Sequence, residues 1–237
     1  MKITKKIFKL TKNDDGTTLL ELILTMVLTL VVVSVVPPLL SATTTAASTS
    51  QQISYGTNSV QIAIQQIDNY VASASKVCVA SKPLTFNNGS TATTYTTNSG
   101  YALAVESDAF NGPGAPEWVE WIIPTTSQGQ PSTLYTRTWP ASATNSGSIE
   151  FTPLAGPIYN SNQTSSSSLP FSVASSGPPE ELAVNLWVGS STHIGATGAN
   201  PTVHMTNSIV ALNTGFSASN SGQSTSNSTT GEPSMCT

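Results

Sequence analysis

Few side chains in this 237-residue chain have the types to do chemistry, and most of those fail on spacing. Two histidines, His193 and His204, lie eleven positions apart with Gly195, Gly198, Asn200 and Pro201 between them, and no third ligand stands at a metal-binding interval. They read as solvent-facing loop or strand-end residues. Serine is abundant, yet no Gly-x-Ser-x-Gly elbow occurs and no serine, histidine and aspartate form a nucleophilic arrangement. Asp108, Glu117 and Glu120 crowd the turn Asn111-Gly112-Pro113-Gly114. Calcium favours oxygen ligands on flexible loops, but these intervals are not those of a calcium loop, and a solvated acidic face is the expectation. No catalytic residue, cofactor or metal site is assigned. What remains is Glu21, the one charged residue in the apolar run from Leu19 to Val36. A carboxylate inside a membrane-seeking helix costs roughly 2.5 to 3.5 kcal/mol on insertion scales unless a partner satisfies it. Such a charge requires a functional reason.

Glu21 is five residues after Gly16 in Gly16-Thr17-Thr18-Leu19-Leu20-Glu21-Leu22-Ile23-Leu24, behind a short basic leader. This combination resembles the class III leader of type IV pilins and type II secretion pseudopilins, and the similarity covers about the first forty residues. The resemblance implies cleavage between Gly16 and Thr17 by a prepilin peptidase. It implies N-methylation of Thr17 as the new amino terminus, although Thr17 departs from the usual Phe or Met. It also gives Glu21 an assembly role, meeting the Thr17 amine of a neighbouring subunit. The implied partners are other pilin or pseudopilin subunits, the pilus assembly machinery and, before assembly, membrane lipid. Pro37 and Pro38 lie near the family's usual proline and would either kink the helix or stop it, with a second helix starting near Ser41. The order of later strand-like runs, with Leu134–Trp139 in the middle and Ser208–Asn213 near the end, is similar to the PilW-like and PulJ-like minor pilins. A second function stays open, a signal-anchored surface protein whose β domain binds a ligand and enters no filament. Ser41-Ala42-Thr43 has the small residues of a signal-peptidase site, but the apolar segment before it exceeds the length of a signal peptide.

Charge supports export. Lys2, Lys5, Lys6, Lys9 and Lys12 precede the apolar run and orient its amino end to the cytoplasm. After Gly16 only Lys76, Lys82 and Arg137 face ten carboxylates (twelve less Asp14 and Asp15), a net charge near minus seven. Three scattered cations cannot neutralise a row of phosphates, so direct nucleic-acid binding is not expected. Cys78 and Cys236 lie in the exported part, where a disulfide persists. They are either two unrelated thiols or a bridge closing almost the whole domain, and export favours the bridge. Asn88-Gly89-Ser90, Asn162-Gln163-Thr164 and Asn227-Ser228-Thr229 fit a glycosylation pattern frequent in so Ser/Thr-rich a chain.

The elements that must carry these residues follow from hydrophobic spacing. Residues 1–16 form the leader and 17–40 a transmembrane or filament-core helix of bilayer-spanning length. Residues 41–78 continue it as an amphipathic helix, because Ile53, Val60, Ile64, Ile67, Val71, Ala74 and Cys78 follow steps of three, four and seven. Residues 79–216 hold strand-like runs at Tyr101–Val105, Trp118–Ile123, Thr133–Trp139, Ile149–Phe151, Leu169–Val173, Leu182–Val188 and Val203–Leu212. The polar segments Asn87–Ser99, Ala141–Ser148 and Tyr159–Ser168 read as loops, and 217–237 as a flexible Ser/Thr/Gly-rich tail. At least two of Trp118, Trp121, Trp139 and Trp187 belong in the core. The expected class is α+β, one long helix packed on an antiparallel sheet in the manner of a pilin.

Overall fold

Val60, Ala63, Ile64, Ile67, Tyr70 and Val71 recur at helical intervals and all are buried, so one face of a helix is committed to a core. In the computed structural model, residues 19–89, 93–107, 116–126, 130–143, 149–160, 169–173, 181–189, 203–211, 215–216 and 232–236 are described. Helix α1 spans Leu19–Ala72 and is continuous through Pro37 and Pro38, so neither proline stops it. Both prolines lack an N–H, which leaves the carbonyls of Val33 and Ser34, four residues earlier, without a helical donor. The chain divides into two units, Met1–Ser48 and Thr49–Thr237.

Among the described residues eleven strands follow: β1 Ala74–Val79, β2 Leu84–Asn87, β3 Thr94–Thr97, β4 Ala102–Ser107, β5 Glu117–Ile122, β6 Ser132–Pro140, β7 Thr152–Ile158, β8 Phe171–Val173, β9 Glu181–Val188, β10 Val203–Val210 and β11 Gly215–Phe216. Nine form one sheet in the order β10-β9-β7-β6-β5-β4-β1-β11, with β8 also paired to β9, while β2 and β3 make a separate hairpin. Every pairing is antiparallel except β1 with β11. The chain is therefore α+β, with a long apolar N-terminal helix and a large, predominantly antiparallel sheet.

Strand alternation builds a core on each face of that sheet. Val77, Leu103, Val105, Val119 and Trp121 join the helix stripe in one core. The intervening Cys78, Ala102, Ala104, Trp118 and Ile122 turn the other way, into a second core with Phe86, Phe151 and Met235. Trp118, Trp121 and Trp139 are buried. Tyr70 meets Trp121 edge to face at 5.7 Å between centroids, which fixes the end of α1 against β5. Earlier in the helix, Gly56 permits a close approach to β9, since a Cβ there would lie 2.7 Å from Val188 Cγ1.

Several expectations need correction. The amphipathic helix does not reach Cys78, because α1 ends at Ala72 and residues 74–79 are β1. Ser73 follows it, its hydroxyl bonding back to the carbonyls of Asn69 at 2.9 Å and Tyr70 at 3.2 Å. Ala74 and Cys78 continued the helical spacing only because one side of a strand is apolar too. Ile149–Phe151 is not a strand, whereas Thr152–Ile158 is, despite Pro153 and Pro157. Its ladder with β6 is broken by register shifts and it meets β9 only at Ile158↔Val188, the irregular pairing in which prolines are tolerated. The segment Asn87–Ser99 contains β3, which pairs with β2, so it is not merely a loop. Of the C-terminal tail, 217–231 lie outside the described residues, but Ser234–Cys236 form a short 3-10 turn with Met235 and Cys236 buried. That end is docked and not flexible.

Candidate membrane and assembly surface

The unit ending at Ser48 contains α1 from Leu19, and from Leu22 to Leu40 its large apolar side chains are exposed, from 44% at Val36 to 72% at Leu30. Water does not sustain such a surface; it marks contact with lipid or with other apolar helices. The polar side chains along it are arranged accordingly. Thr25 donates to the Leu22 carbonyl at 2.9 Å, Thr29 to Thr25 at 2.7 Å and Ser34 to Val31 at 2.8 Å. Each hydroxyl is thus satisfied within the helix and brings no unmet hydrogen bond into hydrocarbon. Helix α1 is long and apolar enough to span a membrane.

Glu21 is the exception. It is exposed in the first turn of α1, and among the described residues nothing answers its carboxylate. An acidic group near a helix amino terminus gains a little from the exposed N–H groups there, but only about 0.3 to 1 kcal/mol. That gain would not offset transfer of the carboxylate into hydrocarbon. Gly16 and Thr17, the expected cleavage and methylation positions, lie outside the described residues.

In the second unit the two cysteines are bridged, Cys78 on β1 to Cys236 in the terminal turn, with Cα atoms 5.5 Å apart and a separation of 158 positions in sequence. Lys76 and Glu232 form an ion pair beside it, about three-quarters buried on each side. The bridge restricts the unfolded chain over a very long loop. Replacing both cysteines by alanine is expected to cost about 2 to 4 kcal/mol, read as a lower denaturant midpoint of the full chain in detergent, and reductant should reproduce it. An unchanged midpoint would show that the bridge does not constrain the domain.

The acidic-face expectation fails at Glu120. This residue is buried and paired with Arg137, whose Nε and Nη2 both lie 2.6 Å from Glu120 Oε2. Glu120 and Arg137 are register partners on β5 and β6, and both turn into the second core. There the guanidinium lies 4.2 Å from the Phe151 ring centroid and 5.2 Å from Trp139. Burial pushes the Glu120 carboxyl above its usual range, although Arg137 pulls it down. Glu117 accepts a hydrogen bond from the Tyr70 hydroxyl at 3.0 Å, and burial first, then Glu117, pushes that phenol up to about 12. Asp108 lies outside the described residues. The missed signal was alternation: Glu120 shares its strand face with Trp118 and Ile122, and Arg137 shares its with Trp139.

The remaining chemistry-bearing residues are not brought together. His204 is exposed on β10 and stacks on Trp187, 3.8 Å between centroids and 6° between planes, while His193 lies outside the described residues. Asn88 accepts the Phe151 N–H at 2.7 Å, so its side chain helps seat the β2–β3 hairpin. Asn162 and Asn227 lie outside the described residues. No protein-family model, no curated protein and no solved structure matches this chain.

Proposed function

We propose that the chain is a structural subunit of a type IV pilus-like filament, a minor pilin or pseudopilin, processed after Gly16 and assembled through α1. The observation that carries this reading is Glu21, a lone carboxylate on an exposed apolar helix whose hydroxyls are already satisfied. Cleavage after Gly16 creates an α-amine at Thr17, four residues or about 6 Å along a helix from Glu21. A neighbour displaced along the axis by that distance sets its Glu21 beside this amine in a low-dielectric core, where each charge answers the other. N-methylation keeps the amine cationic and leaves the pairing intact.

The basic leader and the disulfide fit a domain outside the cytoplasm. The long, loop-rich exported domain suits a minor subunit better than a compact major one. Pro37 and Pro38 would give the helix a local weakness, since two carbonyls lack donors there. The subunit works with a prepilin peptidase, the assembly machinery and other pilins, not as an enzyme.

The amino terminus tests this directly. Mass spectrometry should find a chain starting at Thr17, and Gly16→Leu should abolish that trimming and leave a precursor in the membrane. A chain starting at Met1, or cut near Ala42, would favour the surface-anchored reading instead. Trimming of Gly16→Leu to Thr17 would refute the leader assignment.

A further inference from the structure

Among the described residues, strand β10 closes one end of the sheet. Its register with β9 is unbroken from Val203↔Val188 to Val210↔Glu181. On β9, the Trp187 carbonyl accepts from Tyr159 at 2.8 Å and its N–H donates to Asn160 Oδ1 at 2.9 Å. The Asn185 N–H donates to the Pro170 carbonyl at 2.8 Å, and its carbonyl accepts from Asn160 Nδ2 at 2.8 Å. Both residues thus direct their backbone groups away from β10. Their register partners, His204 and Thr206, must direct theirs away from β9, and alternation extends this to Ser208 and Val210. The Ser208 N–H is taken by Asn207 Oδ1 at 3.0 Å. The other outward groups have no partner among the described residues.

Native sheets protect such an edge with lysine, proline, a bulge or brevity. The opposite end uses brevity, since β11 is only two residues long. Strand β10 uses none of these, being eight residues of Val-His-Met-Thr-Asn-Ser-Ile-Val in a regular ladder. We propose that this edge is an interface on which a second copy of the chain adds its own β10 antiparallel, continuing the sheet across a two-fold axis.

The edge itself selects that occupant. The chain beyond Gly16 is strongly acidic, so most surface pairings between copies are repulsive, but β10 carries no acidic or basic residue apart from His204. Centring the pair on Asn207 keeps all residues on matching faces. Met205 then faces Ile209, Val203 faces Ala211 and Thr206 faces Ser208. Val203 and Met205 are only partly buried at the rim of the helix-side core, and the added strand would complete their burial. A single apolar helix confines copies to one membrane plane, which raises their effective concentration. The contact does not depend on filament entry.

The test uses the full chain in its native membrane, with Cys78 and Cys236 bridged to each other. Asn207 would face itself in a non-hydrogen-bonded pair, where side chains approach most closely. Asn207→Cys is therefore expected to give a covalent dimer under mild oxidation, in several-fold higher yield than Thr85→Cys, an exposed site on β2. Adding Thr206→Pro removes an outward N–H without touching the β9 ladder and should suppress the dimer. Thr206→Lys should suppress it too, because the two introduced ammonium groups would lie diagonally across the two-fold axis, and it leaves the backbone intact if the proline disturbs folding. Equal yields from the two cysteine sites, crosslinking of Asn207→Cys only to a different protein, or dimerisation indifferent to Thr206→Lys would overturn the proposal.

Discussion

Glu120→Ala is expected to destabilise the β-rich domain by about 3 to 5 kcal/mol, the usual consequence of leaving one member of a buried ion pair behind. The side chains of Glu120 and Arg137 are 2% and 3% exposed, so water does not replace the lost carboxylate. The Phe151 and Trp139 rings attract the guanidinium but cannot accept its N–H groups as a carboxylate does. For a domain of this size the loss corresponds to a fall in melting temperature of roughly 6 to 20 °C, measurable by circular dichroism of the full chain in detergent. Replacing both residues together, as Glu120→Met with Arg137→Met, should recover most of the loss, because the uncompensated charge goes with its partner and similar volume stays in the core. Equal destabilisation by the single and double variants would show that the pair matters through shape and not through charge.

That pair also shows where sequence reading stops. Glu120 lies beside a Gly/Pro turn and between two tryptophans, and the turn suggested solvent while the alternation with Trp118 and Ile122 pointed inward. Its partner is 17 residues away and is brought opposite only by the β5–β6 register, which no local pattern specifies. The helix stripe from Val60 to Val71 was legible because four successive turns repeat it. Strand β9 was legible because Leu182, Val184, Leu186 and Val188 alternate without a break and all are buried. Strand β7 was not, since its prolines suppress the strand signal and its ladder tolerates them only through register shifts. The β2–β3 hairpin was hidden by polarity, with Phe86 and Tyr95 as its apolar anchors among threonines and asparagines. The disulfide was within reach because the chain's two cysteines have only each other to pair with. Glu21 was the plainest candidate, since a charge in an apolar helix contradicts its surroundings whatever the fold.

Glu21→Ala should separate insertion from assembly. Removing a charge from an apolar helix eases its transfer into the membrane, so the variant is expected to insert and, under the proposed processing, to be cleaved before Thr17 to the same extent as the native chain. Its helix should be unaffected, because alanine has the highest helix propensity and Glu21 has no partner among the described residues to lose. The deficit appears only when a neighbour arrives. On the proposed filament reading, the α-amine of one subunit and the Glu21 carboxylate of the next would enter the filament core as a pair whose attraction offsets their desolvation. With alanine, the amine is buried alone, and breaking a buried pair in this way costs about 3 to 5 kcal/mol per contact. Taken as an equilibrium, that is a loss of incorporation on the order of 10²-fold or more, since 1.4 kcal/mol is a factor of ten. The measurement is the ratio of this subunit in sheared surface filaments to that in the membrane pool, for native, Glu21→Ala and Glu21→Gln chains. Glutamine keeps the shape and an acceptor but not the charge, and should recover little. Native incorporation of Glu21→Ala would leave the carboxylate without a role in assembly and make the plain membrane anchor the better reading of α1.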